Sequence, residues 1–186
     1  MTGHKILVGV SGGIAAYKTC DLVRQVVREG HEARVVMTHS AEEFVRPLTF
    51  EVLSRNPVPR GLFDPRTDPS VEHVEAADWA DAVVIAPATA NVIGKLAGGI
   101  ADDLLTTLLL AVPAGTPVVL APAMNTKMWD NPVMRRNLKY LLEETDGRYS
   151  AVGPVVKELA CGDLGMGGMA AVEDIYNHIL DVLKTR

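Results

Sequence analysis

Four short apolar runs punctuate the chain: Ile6–Val10, Ala33–Met37, Ala82–Ala86 and Val118–Ala121. They show little alternation with polar residues, so each predicts a strand covered on both faces, as in a parallel sheet between two layers of helix. Between the first two runs, Ile14 to Glu29 carries Ile14, Cys20, Leu22, Val23, Val26 and Val27 at helical spacing, and Gly30 ends it. Asn131–Leu142 and Val172–Leu183 read as further helices. Strands alternating with helices predict an α/β fold: a doubly wound, Rossmann-like or flavodoxin-like parallel sheet of five or six strands, with helices on both faces. Pro47–Pro69 has little periodicity and predicts one short strand near Val58 followed by an exposed connection. Cys161–Gly168 is glycine-heavy and predicts a mobile loop. No repeat or linker divides the chain, so residues 1–186 are expected to form one domain.

Composition narrows the class. Apolar residues make up 48% of the chain and charged residues 22%, which suits a globular protein. A net charge of −5 argues against a general nucleic-acid binder. Cys20 and Cys161 stand far apart without metal-ligand spacing, so neither a disulfide framework nor a metal site is expected. The longest apolar stretch, Leu104 to Val112, is too short to cross a membrane. The N-terminus runs straight into the first strand without a signal peptide's apolar region. These features together predict a soluble, cytoplasmic protein.

Three junctions between a strand and a helix carry candidate chemistry. Gly9-Val10-Ser11-Gly12-Gly13-Ile14 follows the first strand, and its glycines would let a phosphate approach the N–H groups that open the helix. The same residues fit Gly-x-Ser-x-Gly, the nucleophile elbow, but no oxyanion loop accompanies them. An unliganded tight turn is the plainer reading. Thr38 and Ser40 end the second strand beside this turn and could hold the same phosphate, or Ser40 could cap a helix. Pro87-Ala88-Thr89-Ala90-Asn91 follows the third strand; its small residues would admit a planar ring, although Thr89 and Asn91 are also ordinary capping residues. Asp102-Asp103 before Leu104 reads as a cap alone. Pro122-Ala123-Met124-Asn125-Thr126-Lys127-Met128-Trp129 follows the fourth strand, where α/β sheets place ligands. Its methionines, tryptophan and single amide suit an apolar pocket with one directional polar group, or a loop that plugs the core. His73 could act as a base near neutral pH, or be structural.

Taken in order, Ser11–Lys18, His73 with Trp79-Ala80-Asp81, Pro87–Asn91, Pro122–Trp129 and Leu159-Ala160-Cys161-Gly162-Asp163 resemble the homo-oligomeric flavin-containing cysteine decarboxylases, and most nearly their coenzyme A branch. The resemblance implies FMN as cofactor, with Gly12, Gly13, Ile14, Thr38 and Ser40 around its phosphate and Ala88, Thr89, Asn91 and Ala123 against the flavin. It implies catalytic roles for His73 and Cys161, and a substrate site of Asn125, Met124, Met128 and Ala160. The implied reaction turns 4′-phosphopantothenoylcysteine into 4′-phosphopantetheine. The thiol is oxidised to a thioaldehyde, CO2 is lost to give an ene-thiol, and reduced flavin returns the hydride. Homotrimers or assemblies of trimers are implied, together with a separate synthetase to supply substrate. Gly167-Gly168-Met169 departs from the Gly-Arg-Met of many bacterial members. The runner-up is an oxidative decarboxylase of a peptide C-terminal cysteine, which would not need Cys161. A flavin-binding regulatory subunit would carry acidic or low-complexity extensions that this chain lacks, and a flavin prenyltransferase would lack Pro122–Trp129.

Overall fold

Strands β1 (Lys5–Val10), β2 (Glu32–Met37), β3 (Ala82–Ala88), β4 (Val118–Pro122) and β5 (Tyr149–Ala151) form one parallel sheet in the order β2-β1-β3-β4-β5. The computed structural model describes residues 3–61, 77–158 and 164–185. The strand order is that of flavodoxin-like folds, which bind ligands where the winding reverses, between β1 and β3.

Apolar runs without alternation are needed because successive side chains enter two different cores. Ile6, Val8 and Val10 of β1, Val84 of β3 and Val119 of β4 face one side, whereas Leu7, Val83, Ile85, Val118 and Leu120 face the other. Helices α1 (Ala16–Arg28), α3 (Pro47–Ser54) and α8 (Val172–Lys184) cover the first side through Leu22, Val26, Phe50, Ile175 and Ile179. Helices α4 (Ala90–Gly98), α5 (Leu104–Ala111) and α7 (Pro132–Glu143) cover the second through Ile93, Leu105, Leu108, Leu138 and Leu141. Short helices α2 (His39–Glu42) and α6 (Thr126–Trp129) follow β2 and β4.

The Asp102-Asp103 pair caps as expected. Asp103 accepts from the Thr106 N–H at 2.9 Å and completes a capping box, while Lys95 of α4 reaches Asp102 at 2.6 Å and Asp103 at 2.8 Å. Burial alone would raise the Asp103 pKa, but the bonds from Lys95 and Thr106 hold it below the usual carboxylate value. Leu105, one residue into this helix, is fully buried, and its Cδ1 lies 2.7 Å from where a Cβ on Gly9 would stand. The bare backbone of Gly9 is therefore part of the Leu105 seat. Leu105→Ala is expected to cost about 2–5 kcal/mol of stability. Urea unfolding should show this as a lower midpoint with an unchanged slope.

Three expectations need correction. Residues 47–54 form helix α3, because Pro47 suits its first turn and Phe50 and Ser54 pack inward. Leu48 and Val52 point outward, which erases the periodic signal. Val58 is buried but belongs to no strand, since Pro57 and Pro59 on either side lack the N–H that a ladder needs. Residues 164–168, read as part of a mobile loop, are strand β7 (Leu164–Gly168), paired antiparallel with β6 (Val155–Glu158).

Candidate functional site

A cavity of about 870 Å³ opens at the carboxyl ends of β1, β3 and β4, within the size range of small-molecule and cofactor sites. Its walls are the glycine turn Gly12–Ala15, the start of α4 at Thr89–Asn91, and the segment Ala123–Asn125 with Met128. Lys18 and Tyr17 of α1 and Lys157, Gly167, Gly168 and Met169 of the hairpin region complete it. The three strand-to-helix junctions singled out in the sequence thus meet in one place.

Hydrogen bonds at the switch point explain the convergence. Ser11, 1% exposed, donates through Oγ to the Pro87 carbonyl at 2.7 Å, lies 3.0 Å from Thr89 Oγ1 and accepts the Thr89 N–H at 3.1 Å. The serine of the elbow-like motif therefore ties β1 to the end of β3, which argues against a nucleophile. Thr19 adds a bond from its hydroxyl to the Ala86 carbonyl at 2.5 Å. Helix α1 starts without a side-chain cap at Ala15; the Ala16 and Lys18 N–H groups bond the Gly13 and Ala15 carbonyls at 2.9 and 3.0 Å, and the turn Gly12–Ala15 that leads into this positive dipole end lines the cavity. Gly12 packs so closely on Ser40 that a Cβ there would overlap it, and a Cβ on Gly13 would stand 3.3 Å from the Thr89 methyl.

Of the residues predicted for a phosphate and a planar ring, Gly12, Gly13, Ile14, Thr89, Asn91 and Ala123 line the cavity. Ser40 borders the glycine turn instead, and Thr38 is buried behind it with no hydrogen-bond partner for Oγ1 among the described residues. Ala88 backs the cavity from within β3, fully buried, and its carbonyl accepts the Ala123 N–H at 3.1 Å. Met124, Asn125 and Met128 line the other wall. His73, Ala160 and Cys161 lie outside the described residues.

Asn125 is oriented by its own helix. It is the N-cap of α6, and Oδ1 accepts the Lys127 N–H at 2.9 Å. The cap commits the amide's acceptor to the helix and makes Nδ2, a donor, the opposite pole. A donor in an apolar wall suits a carboxylate or another acceptor oxygen. Strand β7 braces this wall: the Met124 N–H donates to the Gly167 carbonyl at 2.9 Å.

Lys18 and Lys157 carry no role in the sequence pattern, whereas Gly167-Gly168 stand out there as a departure from Gly-Arg-Met. Lys18 sat within a recognised motif, but Lys157 reaches the cavity only through the hairpin pairing, which no local pattern announces. Burial first, and then the nearby Lys18 charge, push the Lys157 ammonium below the usual lysine pKa.

This arrangement belongs to a flavin-type α/β site, and comparison with known proteins gives the class. The flavoprotein family model matches residues 1–184, and the chain belongs to that family. Among relatives, it is 47% identical over 178 residues to the coenzyme A biosynthesis bifunctional protein of Vibrio cholerae, covering 96% of this chain and 43% of that protein. It therefore spans less than half the length of that relative. It is also 41% identical over 179 residues to a probable phosphopantothenoylcysteine decarboxylase of Streptococcus mutans, covering 96% of this chain and 98% of that one. A solved PPC decarboxylase mutant complexed with pantothenoylaminoethenethiol superposes with a TM-score of 0.86 at 35% identity, covering 98% of this chain and 99% of that one.

Proposed function

We propose that the chain is a single FMN-binding decarboxylase domain that converts 4′-phosphopantothenoylcysteine to 4′-phosphopantetheine. One observation carries this reading: the cavity brings the glycine turn at the start of α1 and the amide-bearing segment Ala123–Asn125 with Met128 into one space. Relatedness along nearly the full length of the Streptococcus mutans protein supports it.

The residues fit the cofactor. The start of α1 suits its phosphate, Ser40 and Thr38, whose Oγ1 has no hydrogen-bond partner among the described residues, lie beside that turn, and Thr89, Asn91 and Ala123, backed by the buried Ala88, offer the small surface a flat ring needs. When bound, FMN supplies hydride acceptance and return, so that the substrate thiol can be oxidised, CO2 can leave and the ene-thiol can be reduced. Asn125 Nδ2 holds the substrate carboxylate, and Met124 and Met128 keep water from the surrounding wall. His73 assists proton removal from the thiol or stabilises the carboxylate. Ala160 helps to position the substrate, and Cys161 returns a proton when the ene-thiol is reduced. Ile14 and Tyr17, 60% and 57% exposed at the cavity, support a homo-oligomer, a trimer or a multiple of trimers, in which a neighbouring copy covers this rim. A synthetase activity supplies the substrate in the cytoplasm. Among the described residues, no helix is long and apolar enough to cross a membrane.

The test is CO2 release by FMN-loaded protein from 4′-phosphopantothenoylcysteine and, separately, from a peptide ending in cysteine. Release from the first alone is expected; release from the peptide alone would replace the small substrate with a peptidyl one. In the same assay, Cys161→Ser should still release CO2 but accumulate the ene-thiol. Normal saturated product from that variant would remove Cys161 from the proton-donor role.

A further inference from the structure

Lys157 enters the cavity along a path that lies close over a glycine. Its stem lies across Gly168, where an added Cβ would stand 3.0 Å from Lys157 Cβ, 3.2 Å from Cδ and 3.3 Å from Cγ. A side chain at position 168 and this course for Lys157 compete for the same space. The ammonium donates to the Met169 carbonyl at 3.4 Å, leaving further protons for other acceptors. Lys18 lines the same cavity from α1. The two charges are near enough that, after burial, Lys18 is the main influence lowering the Lys157 pKa, while Tyr17 and Asp174 oppose it more weakly. No carboxylate occurs among the described residues that line the cavity. Two neighbouring lysines in a cavity wall without a carboxylate, with Asp174 acting on Lys157 only weakly, form a surface that an anion with two charges would relieve.

We propose that Lys18 and Lys157 form a phosphate-monoester site in the cavity, which receives the phosphate of the substrate. The identity of the substrate rests on the decarboxylase reading above. Three anions must then be accommodated. The start of α1 suits the cofactor phosphate, and Asn125 suits the substrate carboxylate. The lysine pair answers the third anion, and its two charges match a dianion better than they match a carboxylate. Gly168 belongs to the same device, because it gives Lys157 its course.

The test is calorimetric binding of 4′-phosphopantothenate and of pantothenate to the FMN-loaded protein. These ligands differ only in the phosphate and carry no reacting cysteine. The wild type should bind the phosphorylated ligand roughly 10- to 100-fold more tightly, the worth of a charge-assisted contact of this kind. Lys157→Met keeps the stem over Gly168 and should bring the two affinities to within about threefold of each other, with pantothenate binding and the flavin spectrum unchanged. Lys157→Arg should retain most of the preference. Gly168→Ala, which crowds the stem, should lose it. Equal affinities in the wild type, or a full preference in Lys157→Met, would overturn the site. Loss of flavin from Lys157→Met would overturn it as well, because the pair would then serve the cofactor phosphate. Wild-type protein that binds with the phosphate preference but releases no CO2 would instead sink the decarboxylase reading, so the two failures can be told apart.

Discussion

Asn125→Asp should lower CO2 release from 4′-phosphopantothenoylcysteine by roughly 10²- to 10³-fold while leaving flavin content unchanged. Asp and Asn cap helices about equally well, so the bond from the Lys127 N–H, 2.9 Å in the native protein, survives the change. What is lost is the Nδ2 donor, and an anionic oxygen takes its place. Losing a hydrogen bond to a charged group costs about 1.5–3 kcal/mol, and setting two like charges together at an exposed position adds about 1 kcal/mol. Asn125→Ala is the less informative change, because removing the cap also costs about 0.5–2 kcal/mol of stability. Steady-state rates beside a thermal melt separate the two effects. A wild-type rate for Asn125→Asp would mean that the substrate carboxylate is held elsewhere.

Gly167→Ala should be nearly as damaging, by a different route. Gly167 has a φ of 148°, and a Cβ there would overlap the Met124 carbonyl. Neither the left-handed backbone nor the contact leaves room for a side chain. Relief requires β7 to withdraw from the Met124–Asn125 wall, breaking the 2.9 Å bond between the Met124 N–H and the Gly167 carbonyl. Strain and the lost bond together cost about 2–4 kcal/mol. A displacement of the substrate wall by about 1 Å is enough for a rate loss near 10²-fold. Hydrogen exchange at the Met124 amide should quicken in parallel with the fall in rate. Unchanged exchange and rate would show that the hairpin does not brace the wall.

The contrast between Asn125 and Lys157 shows what the sequence made legible. Asn125 was visible because a lone amide among methionines, just past a buried strand, is an odd composition for a surface turn. The glycine turn and Thr89 were visible for a related reason: strand, small residues and helix follow one another locally. The sheet was legible because β1, β3 and β4 are buried on both faces and need continuous apolar runs. Helix α3 was hidden because Leu48 and Val52 expose apolar side chains opposite Phe50, leaving no period to read. Strand β7 was hidden because its glycines, which suggest a loop, are there to let other backbone and side chains pass close by. Lys157 was hidden because its place depends on pairing across the hairpin and on an empty position at Gly168, both properties of the folded chain.

The mass of the reaction product is the decisive readout. FMN-loaded protein is incubated with 4′-phosphopantothenoylcysteine, and the product is weighed by mass spectrometry. The expected product is a saturated thiol lighter than the substrate by one CO2. A flavin-loaded protein that returns the substrate unchanged would contradict it.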